Sequence, residues 1–216
     1  MRGDQRVSTE KRRPTRAICR IWKTAASGGL ASNVFLQEVL VSQSAFNTRK
    51  LAIAALLCAL AVVGSLFSFP VFGSKCAPVQ HVVNILCAVL LGPFWGVFVA
   101  FAASLLRNLF GLGTVLAFPG SMCGALLCGL VYWRFKNLFA TLAAEIFGTG
   151  IVGGLLSYPV AVTFMGIAAG SVAFYAFVMP FLISTIGGAI LAGILVAALQ
   201  KNGALGRMQL ILRPRT

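Results

Sequence analysis

Leu51-Ala-Ile-Ala-Ala-Leu-Leu-Cys-Ala-Leu-Ala-Val-Val-Gly-Ser-Leu-Phe-Ser-Phe69 is an unbroken apolar run with no charged side chain. A helix needs about 20 such residues to cross a hydrocarbon core about 30 Å thick. The run follows Arg49-Lys50 and a polar stretch, residues 1–50, that holds ten basic and three acidic residues. A secretory signal has a shorter apolar core and a small-residue cleavage site. Neither that site nor a lipobox-like cysteine context follows Phe69, so the run is expected to be a first transmembrane helix. The rest of the chain agrees. Of 216 residues, 59% are hydrophobic and 10% charged, against about 45–50% and 25% in a soluble domain. That balance excludes a soluble enzyme and a disordered chain.

Outward from this run, Gly and Pro punctuate further apolar segments. Helices are expected over Val79–Leu91, Pro93–Phe110, Thr114–Trp133, Asn137–Tyr158 with continuation past Pro159, and Gly170–Leu199 with a kink at Pro180. The fold class is thus an all-α integral membrane protein of six transmembrane helices. Its second helix is short, hence tilted or partly re-entrant. Residues 1–48 form a basic, flexible cytoplasmic extension, with a short interfacial helix expected over Asn33–Val41. The transmembrane domain covers 49–200, and 201–216 is a basic cytoplasmic tail.

The net charge of +14 sits on segments flanking the apolar runs, as the positive-inside rule requires. No nucleic-acid motif accompanies it. With the N-terminus inside, Arg134, Lys136 and the tail also fall inside, and six crossings put both termini in the cytoplasm. Lys75 and Arg107 break the rule, which makes them the better functional pointers. Six cysteines show no C-x-x-C pair, so neither a zinc site nor a disulfide framework is indicated.

Polar residues cluster within the apolar helices. Ser104, Arg107, Asn108 and Gly111 share one helical face. Gln80, His81 and Asn84 gather at one end of helix 2, and Glu145 and Thr149 are an i, i+4 pair. His81 is the only histidine and Glu145 the only acid after residue 38. A charge facing lipid costs about 2.5–3.5 kcal/mol, so these groups should face the interior and form a small-molecule pocket. Blander roles stand beside this one: Glu145 as a structural tie to Arg107, His81 as a hydrogen-bonded packing residue, Lys75 as a solvated loop charge. Gly148-Thr-Gly-Ile-Val-Gly153 matches G-x-G-x-x-G but lacks the preceding strand of a dinucleotide site. Its glycines, like the Gly120–Gly124 and Gly150–Gly154 spacings, fit close helix packing. There is no P-loop, no H-E-x-x-H, no Asp beyond residue 50 and one intramembrane carboxylate, which argues against catalysis.

Lys75-Cys-Ala-Pro-Val-Gln-His-Val-Val-Asn84, Leu90-Leu-Gly-Pro93, Ser104-Leu-Leu-Arg-Asn108, Leu116-Ala-Phe-Pro-Gly-Ser-Met122 and Glu145-Ile-Phe-Gly-Thr-Gly-Ile151 occur together in this order. In this the chain closely resembles the ThiW family, substrate-binding S components of energy-coupling factor (ECF) transporters, over about residues 50–199. The resemblance implies capture of hydroxyethylthiazole, the thiazole precursor of thiamine, at a bacterial or archaeal plasma membrane. It implies no enzyme activity and no cofactor in this chain. ATP is used by partners, namely two ATP-binding subunits and a transmembrane coupling subunit. It implies that Ala55 and Ala59, an A-x-x-x-A face on helix 1, meet the coupling subunit. The pocket it implies lies in the outer halves of helices 4–6 under the first loop. Glu145 and Thr149 are then expected to touch the ligand, while His81, Asn84, Arg107 and Asn108 line or brace the pocket. Lys75 belongs to a mobile lid. Phe118-Pro119-Gly120-Ser121 breaks the outer part of helix 4, and Phe118 and Tyr158 stack on the thiazole. Glu145 then lies nearer the inner third of its helix than an outer pocket requires. The rivals are an S component for another small vitamin or precursor, a membrane enzyme acting on lipids, and a stand-alone transporter.

Overall fold

The computed structural model describes residues 48–71 and 74–212. The basic extension up to residue 47, with the helix expected over 33–41, lies outside the described residues. So do the last four residues.

Seven helices and one short hairpin make up the described chain. Helix α1, Thr48–Phe67, ends in a tight turn in which Ser65 Oγ donates to Val62 O. Strands β1 (Phe69–Val71) and β2 (Ser74–Cys76) pair antiparallel, Pro70 opposite Lys75. Cys76 Sγ donates to Pro180 O at 3.3 Å, fastening the hairpin to a later helix. Helix α2, Pro78–Leu90, opens on proline, whose missing N–H has no partner to lose in a first turn. Gly92, at φ +93°, makes the reversal that precedes Pro93 and starts α3, Pro93–Leu109. Helix α4 is Ala117–Phe135, closed by Lys136 in the left-handed region at φ 51°. Helix α5, Leu138–Phe164, is capped by Asn137 Oδ1, which accepts from Phe139 N at 2.9 Å. Helix α6 is Val178–Lys201 and α7 is Ala204–Ile211.

The helices run up and down. One end of the bundle, here the basic end, gathers the start of α1, the ends of α2, α4 and α6, and α7. There Gln209 Nε2 donates to Val89 O and Tyr132 Oη. The hairpin end gathers β1–β2 and the starts of α2, α4 and α6. Helix α2 is the centre: Val83 and Asn84 through Leu90 are all buried. At about 1.5 Å per residue its 13 residues span about 20 Å. Encased by α4 and α6, it carries Gln80, His81 and Asn84 without presenting them to lipid. Ala54, Leu57, Cys58 and Ala61 of α1, Val99 and Ala103 of α3, and Ala189, Ala192 and Val196 of α6 complete the core. Large apolar side chains cover the outside, among them Leu56, Phe94 and Ile194. Among the described residues three helices, α1, α5 and α6, are long and apolar enough to cross a membrane by length and composition.

Two expectations need correction. Helix α6 starts at Val178, eight residues after Gly170, so Pro180 lies in its first turn and produces no mid-helix kink. Helix α4 starts at Ala117, and Phe118-Pro119-Gly120-Ser121 opens it instead of breaking it, for the same reason. The basic tail contains α7, docked by buried Leu205 and Leu212.

Candidate functional site

Glu145 is fully buried and is the hub of a polar network one to two turns below the hairpin end. Its Oε1 accepts from Asn84 Nδ2 at 2.9 Å, Thr149 Oγ1 at 3.0 Å and His81 Nδ1 at 3.1 Å. Since a carboxylate oxygen accepts, Nδ1 carries the imidazole proton, and Nε2 faces Ser184 Oγ at 3.1 Å. Asn84 Nδ2 also reaches Ser121 O at 3.2 Å, and its Oδ1 accepts from Gln80 Nε2 at 3.2 Å. Gln80 Oε1 in turn accepts from Arg107 Nη1 at 3.3 Å. The two buried charges, Arg107 and Glu145, are therefore joined through two amide side chains and not by a direct ion pair. Ser104 and Ser121 hydroxyls meet at 2.9 Å.

The backbone explains how five helices converge here. Immediately after Glu145, α5 widens into a π-helical segment, Ile146–Gly153. Such segments are rare and frequent at functional sites. The wider turn keeps Thr149 over Glu145. Small residues let α4 and α5 approach: a Cβ on Gly148 would stand 3.0 Å from Gly124 Cα. A Cβ on Gly124 would fall 2.7 Å from Glu145 Oε2 and collide with Thr149 Oγ1. On the other side, a Cβ on Gly188 would meet Pro78 O at 2.5 Å and His81 Cβ at 2.7 Å. The glycines thus make the room that the carboxylate and imidazole occupy. The literal G-x-G-x-x-G motif lies inside a helix with no strand before it.

The depth of Glu145 resolves in the same geometry. Gly153 packs against Gly120, and Gly154 against Val178, the first residue of α6. The last turns of α5, Gly154–Phe164, therefore run on past the starts of α4 and α6. Glu145 is early in its own helix yet close to the hairpin-end limits of its neighbours.

A cavity of about 30 Å³ adjoins the network, lined by Ala77, Gln80, His81, Arg107, Ala117, Ser121, Thr149, Phe181 and Ser184. That volume holds about one water. Among the described residues three buried side-chain polar atoms have no hydrogen-bond partner: Arg107 Nε, Glu145 Oε2 and Thr185 Oγ1. Unsatisfied buried groups cost about 1–3 kcal/mol each, so a ligand that reaches them gains more than it would from water-exposed contacts.

The sequence candidates separate. His81, Arg107, Ser121 and Thr149 line the cavity, with Asn84 and Glu145 directly behind them. Asn108 is elsewhere: its Nδ2 donates to Ser104 O at 2.8 Å and Thr114 O at 3.1 Å, closing the α3–α4 turn. Phe118 packs on Phe101, ring centroids 5.6 Å apart, and Tyr158 Oη accepts from Gly170 N at 3.2 Å. Neither lines the cavity. Lys75 lies in β2, in the hairpin above the site. Ala55 and Ala59 lie exposed on α1, with Ala54 and Leu57 turned inward. Sequence reasoning missed Phe181 and Ser184 as cavity-lining residues. Ser184-Thr185, adjacent polar residues in an apolar helix, were the available signal. Among the described residues no cluster of His, Cys, Asp and Glu has the make-up of a metal site.

The profile of the ThiW family, described as a thiamine-precursor transporter protein, matches residues 51–202. Comparison with curated proteins and with solved structures returned no match. The family match takes in α2 to α6, α1 from Leu51 onward and every residue of the network around Glu145, and it covers well over half of the sequence: the chain belongs to the ThiW family of thiamine-precursor transporter proteins.

Proposed function

We propose that the chain is the substrate-binding S component of an ECF transporter and captures hydroxyethylthiazole for ATP-driven uptake by partner subunits. The observation that carries this reading is the buried network at the hairpin end, with one acid and one arginine, around a one-water cavity that has to widen as the ligand enters. Formal charges of Arg107 and Glu145 cancel, which suits a neutral ligand. The ligand offers an aromatic ring, a ring nitrogen that accepts and a hydroxyl that both donates and accepts. Arg107 Nε supplies an unused donor to the nitrogen or hydroxyl. Thr149, Ser184 and His81 supply hydroxyl partners, and Phe181 supplies a face for the ring. Glu145 acts from behind as a positioning residue: it orients His81, Asn84 and Thr149 through one oxygen.

In this reading α1 to α6 cross the membrane six times with both termini in the cytoplasm. Arg49, Lys50, Arg134, Lys136 and Lys201 all fall at the basic end, which supports that orientation. The hairpin end, with the cavity, then faces outside. Ala55 and Ala59 meet the coupling subunit, and ATP hydrolysis by the two ATP-binding subunits drives release inward.

The test is binding by the purified chain in nanodiscs, followed by thermal shift and the fluorescence of Trp95 and Trp133. The panel is hydroxyethylthiazole, its phosphate, thiamine and the pyrimidine precursor. Selective binding of hydroxyethylthiazole is expected. Preference for another member would assign a different ligand to the same class. Uptake by cells lacking the ATP-binding and coupling subunits would overturn the S-component reading.

A further inference from the structure

The direction in which the network passes its hydrogens sets what the hairpin-end cavity offers a ligand. Three hydroxyls line that cavity, those of Ser121, Thr149 and Ser184. Thr149 Oγ1 donates to Glu145 Oε1 at 3.0 Å, and Ser121 Oγ donates to Ala117 O at 2.7 Å. A carboxylate and a carbonyl only accept, and a hydroxyl has one hydrogen to give. Both protons are therefore spent, and Ser104 Oγ must be the donor to Ser121 Oγ at 2.9 Å.

Glu145 and His81 settle the third. Glu145 Oε1 accepts from His81 Nδ1 at 3.1 Å. In a neutral imidazole Nε2 is then bare, and it accepts from Ser184 Oγ at 3.1 Å. The imidazole is neutral because Arg107 and Glu145 already balance. Glu145 is the only acid between residues 48 and 212, so a protonated His81 would add a buried cation with no carboxylate left to offset it. Cys76 Sγ, beside Ser184, gives its own hydrogen to Pro180 O at 3.3 Å. All three cavity hydroxyls thus meet a ligand as acceptors. Ser121 Oγ already accepts one hydrogen, and Thr149 Oγ1 is pressed against Gly124, where an added Cβ would collide with it. Ser184 Oγ receives no hydrogen from either His81 or Cys76. On the donor side, Arg107 Nε is buried without a partner.

We propose that Ser184 is the specificity-determining residue of the ligand site read above, an inference that rests on that reading. The ligand is held by a hydrogen it donates to Ser184 Oγ, while its own acceptor atom takes the hydrogen of Arg107 Nε. Glu145 and His81 are positioning residues that keep Ser184 an acceptor. The site then takes an alcohol and refuses the ether or halide of similar shape, since a buried acceptor left without a donor is costly. The test has a ligand-free arm and a ligand arm, both on the full chain in nanodiscs without a histidine tag. His81 is the only histidine, so nitrogen NMR of the imidazole reads its tautomer directly. At neutral pH the proton is expected on Nδ1, and Ser184→Ala should move the Nε2 signal and leave Nδ1 protonated. A proton on Nε2, alone or with Nδ1, would overturn the proposal, because Ser184 could then donate. In the ligand arm, hydroxyethylthiazole is compared with its fluoroethyl analogue and its methyl ether. Both replacements should weaken binding by about tenfold or more. Ser184→Ala should cost the alcohol a similar factor and leave the fluoroethyl analogue within about twofold. An ether or fluoroethyl analogue that binds as tightly as the alcohol would overturn the donor requirement and leave the thiazole reading standing. No binding of any thiazole, with Nδ1 protonated, would overturn the thiazole reading alone, and the tautomer would still support an acceptor at Ser184. The wild-type measurements decide whether or not Ser184→Ala folds.

Discussion

Two stripes of small residues in this chain look alike in sequence and do opposite things. On α4 and α5, Gly124, Gly148 and Gly153 sit so close to the facing helix that an added Cβ would strike backbone or the Glu145–Thr149 pair. On α1, Ala55 and Ala59 face outward and are exposed. Both have the spacing that lets helices approach. The first stripe is already used inside the molecule and shapes a site. The second stays exposed on the outside of the bundle. Spacing marks the capacity for close packing, and only the neighbours decide whether it is spent within the fold or kept for assembly.

The largest expected effect is at Gly124. Gly124→Ala places a methyl 2.7 Å from Glu145 Oε2 and in collision with Thr149 Oγ1. The carboxylate must leave, taking the His81, Asn84 and Thr149 bonds with it. Thiazole affinity should fall by about a hundredfold or more, near the 3 kcal/mol upper end of overpacking costs, with a lower melting temperature. Titration calorimetry together with thermal unfolding checks this. A drop in melting temperature with full affinity would show that the stripe holds the fold and does not shape the site.

Glu145→Gln is the sharper probe, since it keeps volume and removes charge. Losing a charged acceptor costs about 1.5–3 kcal/mol, so affinity should drop roughly tenfold to a hundredfold while the bundle stays folded. Unchanged affinity with reduced stability would make Glu145 a structural tie. A smaller effect is expected at Phe181. Phe181→Ala removes a ring contact worth about 0.5–1.5 kcal/mol, whereas Phe118→Ala and Tyr158→Ala should leave affinity within about twofold, below 0.5 kcal/mol as for changes away from a site. The reverse ranking would return the stacking role to the α4–α5 aromatics.

Helix existence was legible because long apolar runs, prolines at the starts of α2 and α3 and Asn137 before α5 are strong local signals. Two starts were misplaced by the same cause. Pro119 and Pro180 are harmless in a first turn and disruptive in a middle one, and local sequence does not say which turn they occupy. The π segment left no sequence mark, because Glu145-Ile-Phe-Gly-Thr-Gly reads equally well as α-helix. The polar network was legible in composition: charges and amides in apolar helices must find each other. Its wiring was not. Arg107 and Glu145 were natural partners by charge, and the two amides between them are a matter of helix rotation. Phe181 was missed because a phenylalanine in an apolar helix looks the same whether it faces lipid or a cavity.

The smallest effect on the isolated chain carries the most weight for assembly. Ala55→Leu and Ala59→Leu add bulk to a face that already borders exposed Leu56, Leu60 and Val63, so nothing inside has to move. Surface changes of this kind usually shift stability by no more than about 0.5 kcal/mol. Melting temperature and thiazole affinity of the purified double variant should therefore match the parent. Uptake by cells that also supply the coupling and ATP-binding subunits should be lost, since added side chains prevent close approach of another helix. If uptake survives, the exposed alanines face lipid and assembly uses another surface. If affinity is lost instead, α1 is coupled to the site through its inward neighbours Leu57, Cys58 and Ala61, and the division between an outer stripe for partners and an inner stripe for ligand fails.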